Sequence, residues 1–308
     1  MHSHHSHSGD YCLHAKGHLE DVVKEAIRQG FKLFCMTEHM PRDQKMDLYP
    51  EEVGSHLTPQ DLEDTFAKYY PHAKALQKKY ADQIEILVGF EIDYIRPSSL
   101  ALIQRIREQY PPEIIMGSVH HAFEIPIDFS QELWNKCLEK AGGSEEKLFE
   151  RYFDDQYEML KGVKPTVVGH FDLIRLFAPD TAVPFAQYPT VWSKIERNID
   201  LIVELDAMVE FNSAAFRKGW DEAYPRQDVC ELMIAKGVKF CLSDDSHGPH
   251  HVGLNYWRTR EYVRELGLEK ICYLGKDGEG KVEVREMAVE EVWQDPFWAL
   301  NAEEKRTA

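Results

Sequence analysis

The sequence predicts an α/β fold in which a parallel sheet closes into a barrel. Three observations lead there. Helical and strand-like apolar patterns alternate along the chain, as they do when crossover helices join parallel strands. No GxGxxG or GxxxxGK[ST] loop follows any strand candidate, which removes the usual reason to prefer a nucleotide-binding open sheet. Residues of metal-ligating type fall at the downstream ends of successive strands, the ends that a barrel gathers on one face.

The chain opens on MHSHHSHSGDY, where His5 and His7 form an i, i+2 pair whose side chains share one face of an extended strand. Leu19, Val22, Val23, Ala26 and Ile27 then recur at helical spacing. Gly30 supplies a stop, and the apolar run Phe31 to Met36 follows as a buried strand. Thr58 and Pro59 open a second helical stretch reaching about Tyr80, in which Pro71 predicts a kink or a division into two helices. Ile84 to Phe90 reads as the next strand. Further strand candidates are Ile114 to Val119, Thr166 to Gly169, Met208 to Phe211 and Val238 to Leu242, with helical patterns near 98–109, 144–162, 190–205 and 226–236. The segment Glu124 to Lys164 exceeds a simple βα connection and carries Gly142-Gly143, so it reads as an insertion over one rim. From about Lys276, Gly278, Gly280 and Asp295-Pro296 suggest a turn, a short extended segment and a tail. A length of 308 residues suits one barrel, so 1–308 is read as a single domain.

Charge narrows the partners. The chain carries 53 acidic against 36 basic residues, a formal net charge of −17, which repels nucleic-acid phosphates and anionic membranes. No nucleic-acid or membrane partner is expected. The first residues lack the basic-then-apolar order of a secretory leader, and no apolar run suits a membrane span, so a cytoplasmic protein is expected. The six cysteines are scattered without a CxxC pair and read as reduced thiols, several of them core filler.

The chemistry-bearing residues are ordered. His39 follows FKLFCMTE, Glu91 follows ILVGF, His120 follows IIMGSV, His170 follows TVVG, and Asp245 with His247 follows KFCLSD. Asp245 and His247 repeat the i, i+2 spacing of His5 and His7. Imidazoles mixed with carboxylates suit Zn, Mn or Fe, whereas calcium wants mainly oxygen. No cysteine joins the set, so a structural zinc site is not expected. A lone strand-end histidine is more often a packing residue, and MHSHHSHS alone would read as a loose metal scavenger. The repeated placement at strand ends overturns both readings.

Taken together, HSH (His5 to His7), CLHA (Cys12 to Ala15), TEH (Thr37 to His39), GFEIDY (Gly89 to Tyr94), GSVHH (Gly117 to His121), GHFDLIR (Gly169 to Arg175), EFNSAAFRK (Glu210 to Lys218) and SDDSH (Ser243 to His247) resemble the PHP family, the polymerase and histidinol phosphatase domain. The resemblance covers residues 1 to about 255 and is strongest to the histidinol-phosphate phosphatase branch in its fungal form. It implies a distorted seven-stranded (β/α)7 TIM-like barrel holding three divalent transition-metal ions. The ligands it implies are His5, His7, His14, His39, Glu91, His120, His170, Asp245 and His247. The HxH pair, the glutamate and the aspartate would hold one ion. The glutamate would bridge to a second ion on His120 and His170, with His14, His39 and His247 on the third. Amidohydrolases also open with HxH but close on a lone aspartate, so His14 and His247 favour PHP. One departure is Ser3, which stands where the family has an aspartate and leaves the partner of His5 open. His120 is preferred to His121, and His2, His4, His250 and His251 are read as bystanders.

The resemblance implies hydrolysis of L-histidinol phosphate to L-histidinol and phosphate in histidine biosynthesis, by attack of a metal-bridging hydroxide and without a phospho-enzyme. Arg175 and Arg217, each just past a strand-end motif, would grip the phosphate and, with Asp245 and His247, form the catalytic set. Lys218 is a secondary cation. Asp128 in PIDF is the candidate carboxylate for the basic groups of the substrate. The alternatives are a PHP-type phosphoesterase or nuclease on another phosphate ester, and a non-catalytic metal binder. The last predicts an incomplete constellation, whereas all nine positions are filled.

Overall fold

The apolar runs form parallel strands in a computed structural model that describes residues 1–180 and 182–302. β1 (His2–Ser3), β2 (Leu33–Met36), β3 (Glu85–Asp93), β4 (Ile114–Ser118), β5 (Val167–Val168), β6 (Met208–Asn212) and β7 (Lys239–Ser243) lie side by side in chain order in one seven-stranded sheet. Every pairing in it is parallel. Ser6–His7 pairs in parallel with Ser246–His247, which joins the opening of the chain to the segment after β7 and brings the two ends of the sheet together. The seven-stranded α/β barrel is therefore the observed architecture. Its strands are buried on both faces, because helices cover the outside and side chains fill the lumen. Gly89 is forced by this closeness, since a side chain there would collide with the Ile114 carbonyl of β4.

The connecting helices follow the apolar periodicity. Leu19–Gln29 buries Leu19, Val22, Val23 and Ala26 and ends on Gly30, whose φ of 85° only glycine adopts without strain. Pro59–Lys79 runs unbroken through Pro71, contrary to the predicted division. Its buried residues, Phe66, Tyr69, Ala73 and Leu76, lie on both sides of the proline and bind the two halves to one core. Pro71 and Ala67 are both exposed, so the carbonyl left without its helical partner faces water. Among the described residues, no helix is long and apolar enough to cross a membrane.

Of the stretch 124–164, the helix Glu145–Val163 is the crossover between β4 and β5 and packs on the helix Pro189–Glu204. The rim addition is the His121–Ala122/Ile125–Pro126 hairpin and the helix Gln131–Lys140, which buries Trp134 and Cys137.

The stretch from Lys276 is more than a turn and tail. Lys270–Lys276 pairs antiparallel with Val282–Ala288, and Cys272 and Leu274 of this hairpin enter an inner cluster with Leu33, Cys35, Leu87, Met116 and Cys241. The hairpin lies at the upstream strand ends, where Lys276 N donates to Glu85 Oε1 and Leu274 N donates to His4 Nε2. Beyond it, Asp295 accepts the Met1 ammonium at 2.6 Å and anchors the short β1. The lower half of the lumen is thus apolar and plugged, and chemistry is confined to the upper half. All six cysteines are free and buried.

Candidate metal centre

Alternation along each strand decides which residues reach the upper lumen. Glu91 sits in β3, His39 follows β2 and bridges to Glu91 in the backbone ladder, and His120 and His170 follow β4 and β5. Asp245, at a positive φ of 47°, and His247 follow β7. The small pairing of Ser6–His7 with Ser246–His247 sets the two i, i+2 pairs beside each other, with the His7 and His247 rings 4.6 Å apart.

Glu91 is the hub. Its Oε1 lies 3.3 Å from His120 Nε2 and 3.1 Å from His170 Nε2. Its Oε2 lies 3.3 Å from His5 Nε2, 3.4 Å from His7 Nε2 and 3.0 Å from His39 Nδ1. Asp245 Oδ1 closes the first group at 3.7 Å from His5 Nε2 and 3.5 Å from His7 Nε2. The one carboxylate therefore spans two clusters of nitrogens. Among the described residues four ligand groups result: His5, His7 and Asp245; Glu91, His120 and His170; His14, His39 and His247 with Cys12; and His7, His39 and Glu91, which shares a residue with each of the other three. The structure brings all nine predicted residues together. It turns His120 rather than His121 toward His170, and directs His121 Nδ1 to Asp93 at 3.1 Å.

The donors suit divalent ions. His5 Nε2 and His7 Nε2, which both face Glu91 and Asp245, are buried with no hydrogen-bond partner. Such orphaned nitrogens are costly unless something fills the space between them. Burial disfavours charge on His5, but Asp245, Glu91 and Glu210 override it and hold the ring well above its usual value. Burial likewise opposes charge on His7, yet the adjacent carboxylates of Asp245, Glu38 and Glu91 carry it up to about 10. Burial would raise Glu91, but His5, His120 and His39 hold it well below the usual carboxylate range. The cluster is thus a nest of anionic oxygens that demands cations.

Outer carboxylates orient the rings, and spacing had not revealed them. Glu210 faces His5 Nδ1 at 3.2 Å, supplying the partner that Ser3 left open. Ser3 donates instead to Asp244, at 3.0 Å. Glu38 lies 3.6 Å from His7 Nδ1, Glu51 accepts from His14 Nδ1 at 2.7 Å, and Asp93 lies 3.6 Å from His120 Nδ1. Imidazole ligands are commonly held by such partners, which fix tautomer and direction.

Above the cluster a cavity of about 420 Å³ opens. Eight of the nine residues line it, His5 lying deeper, together with Arg217, Lys218, Asp128, Tyr49, Phe129 and His251. Arg217 ends the short helix Ala214–Arg217 after β6 and donates from Nη2 to the Asp245 carbonyl at 3.1 Å. Arg175 is not at this wall. It is buried against Asp172 at 3.4 Å and Glu222 at 3.5 Å, with its guanidinium 4.1 Å over the Trp220 ring. The 3-10 turn Leu173–Arg175 after His170 sends its side chain sideways, a direction that sequence position alone does not show. Asp128 faces the cavity with a buried Oδ1 lacking a partner. The Tyr49 and Phe129 rings stack 6.0 Å apart beside it. His251, read as a bystander, is also at the wall, and its Nδ1 accepts from His247 N at 3.4 Å.

A parallel barrel with imidazoles and carboxylates gathered at its downstream strand ends is an architecture suited to metal-dependent hydrolysis. The chain belongs to the PHP family, whose domain model matches residues 3–214. It is 50% identical over 294 residues to the probable histidinol-phosphatase of Schizosaccharomyces pombe, covering 94% of this chain and 95% of that protein. It is 34% identical over 333 residues to the histidinol-phosphatase of Saccharomyces cerevisiae, covering 97% and 99%. In fold it matches the Lactococcus lactis histidinol phosphate phosphatase solved with zinc, L-histidinol and phosphate. That likeness has a TM-score of 0.66 at 18% identity and covers 88% of this chain and 95% of that one.

Proposed function

We propose that the protein is a cytoplasmic histidinol-phosphatase that releases phosphate from L-histidinol phosphate in histidine biosynthesis. The observation that carries this reading is the splitting of Glu91 between two imidazole clusters under one cavity, in a chain alike over nearly its whole length to the fungal relatives. In this reading His5, His7, Glu91 and Asp245 hold one divalent ion, Glu91, His120 and His170 a second, and His14, His39 and His247 a third, with Zn, Mn or Fe the suitable metals. When bound, such ions supply Lewis acidity toward phosphoryl oxygens and lower the pKa of a water toward neutrality.

The remaining work falls to the chain. Arg217 and Lys218 take phosphoryl oxygens at the mouth, where the planar guanidinium offers paired donors. Its tie to the Asp245 carbonyl sets its position relative to the cluster. Asp128 accepts from the ammonium or imidazolium of the substrate, and the aromatic pair Tyr49 and Phe129 offers flat apolar surface to the imidazole. The plugged lower lumen keeps solvent from reaching Glu91 from beneath. With the divalent ions bound, the acidic protein would present a locally cationic pocket to a small anionic ester. The test is phosphate release from histidinol phosphate beside a panel of monoesters and a nucleotide diester; indiscriminate hydrolysis would replace the named substrate with a general phosphoesterase.

A further inference from the structure

We propose that Cys12 is a protein ligand of the third metal group, making it an N3S site rather than an all-imidazole one. The inference rests on the metal-centre reading above and concerns a residue that the sequence pattern assigned to core filling. Cys12 Sγ lies 3.1 Å from His14 Nε2. The sulfur and one ring nitrogen each from His14, His39 and His247 all lie within 4.8 Å of one another. Around a tetrahedral ion with bonds of about 2.0–2.3 Å, neighbouring ligand atoms stand roughly 3.3–3.6 Å apart; the Cys12–His14 separation is already of that order, and small side-chain shifts would draw the other two donors onto the same ion.

The rings are prepared for that role. Glu51 accepts the proton of His14 Nδ1 at 2.7 Å, and the Asp245 carbonyl accepts that of His247 Nδ1 at 2.9 Å. Each ring therefore keeps its Nε2 lone pair for a ligand bond. The sulfur is placed by backbone rather than by chance: Cys12 N donates to Ser8 O at 3.0 Å, and Ala15 N donates to Cys12 O at 3.2 Å. Cys12 is buried, like the other five cysteines, but among the described residues it alone of the six belongs to a cluster of ligand atoms.

A thiolate changes what the group selects. Soft sulfur favours zinc, cobalt or cadmium, whereas the two groups around Glu91 offer only nitrogen and oxygen and accept manganese or iron as readily. The third ion is then zinc-like even where the others are not.

The probe is cobalt(II) added to the metal-stripped full-length chain. Thiolate ligation gives a sulfur-to-cobalt charge-transfer band in the near ultraviolet, which Cys12→Ser and Cys12→Ala abolish. Equilibrium dialysis of both variants against zinc should show one ion weakened by at least about tenfold, the other bound ions being unchanged. Cobalt binding without the band, or a band that survives in both variants, overturns the assignment and leaves Cys12 as a hydrogen-bond partner of His14. No cobalt binding at all overturns the metal-centre reading itself.

Discussion

Glu210 faces Nδ1 of His5 at 3.2 Å, and neither side chain has any exposure to solvent. The same carboxylate accepts from His170 N at 2.8 Å and from Asn212 Nδ2 at 2.7 Å, so it fixes two ligand-bearing segments at once. Glu210→Gln retains the shape but loses the anionic acceptor. Metal affinity should fall about 10–100-fold, with turnover restored by excess metal, as measured by titration against a competing chelator. Undiminished affinity would reduce Glu210 to a packing residue.

The two arginines should separate by phenotype. If Arg217 takes the phosphate as proposed, Arg217→Ala removes a charge-assisted contact worth about 1.5–3 kcal/mol, so kcat/KM should fall roughly 10–100-fold with little change in melting temperature. Arg175→Ala breaks a buried pairing with Asp172 and should cost about 3–5 kcal/mol of stability. Thermal melts and steady-state kinetics on both variants check this. A folded Arg175→Ala enzyme with wild-type melting and lost turnover would return Arg175 to the phosphate.

Asp128→Asn should raise KM for histidinol phosphate about tenfold or more, and leave hydrolysis of a simple alkyl phosphate unchanged. Parallel kinetics on the two esters decide it. Equal losses on both would place Asp128 with the phosphate machinery rather than with the basic end of the substrate.

Stability should respond to pH differently with and without metal. In the chelated protein, burial opposes charge on His5 and His7, but the surrounding carboxylates raise both, His7 to about 10. A raised folded pKa adds stability that is complete below the unfolded value of about 6.5 and is lost as pH climbs toward about 10. His39, which burial and the neighbouring His7 hold at about 3, is neutral throughout that window and adds no slope. Metal needs neutral rings, so the stabilisation it confers grows as pH rises. Melting curves from about pH 6.5 to about pH 9 should therefore fall for the chelated protein and show a widening gap to the reconstituted one.

The barrel and its nine-residue cluster were legible because two simple signals coincided. Apolar runs such as IEILVGF marked the strands, and the next imidazole or carboxylate marked their ends. Glu210, Glu38, Glu51 and Asp93 were not legible, since 53 acidic residues give no spacing that separates an outer partner from a solvated charge. Cys12 was passed over because buried cysteine is ordinarily inert, and its convergence with His14, His39 and His247 exists only in three dimensions. The sideways direction of Arg175 has the same origin, since it is set by Asp172 and Trp220. The C-terminal hairpin was hidden by glycines and charges on its exposed face, while Cys272 and Leu274 carried the buried one.

The most direct test measures phosphate release from histidinol phosphate and metal content on the same sample, before and after chelation and then on stepwise return of zinc, manganese or iron. The account predicts loss of activity with the ions and recovery that reaches its plateau as about three ions per chain are restored. Activity that persists in metal-free protein, or that returns without stoichiometric metal, would contradict it.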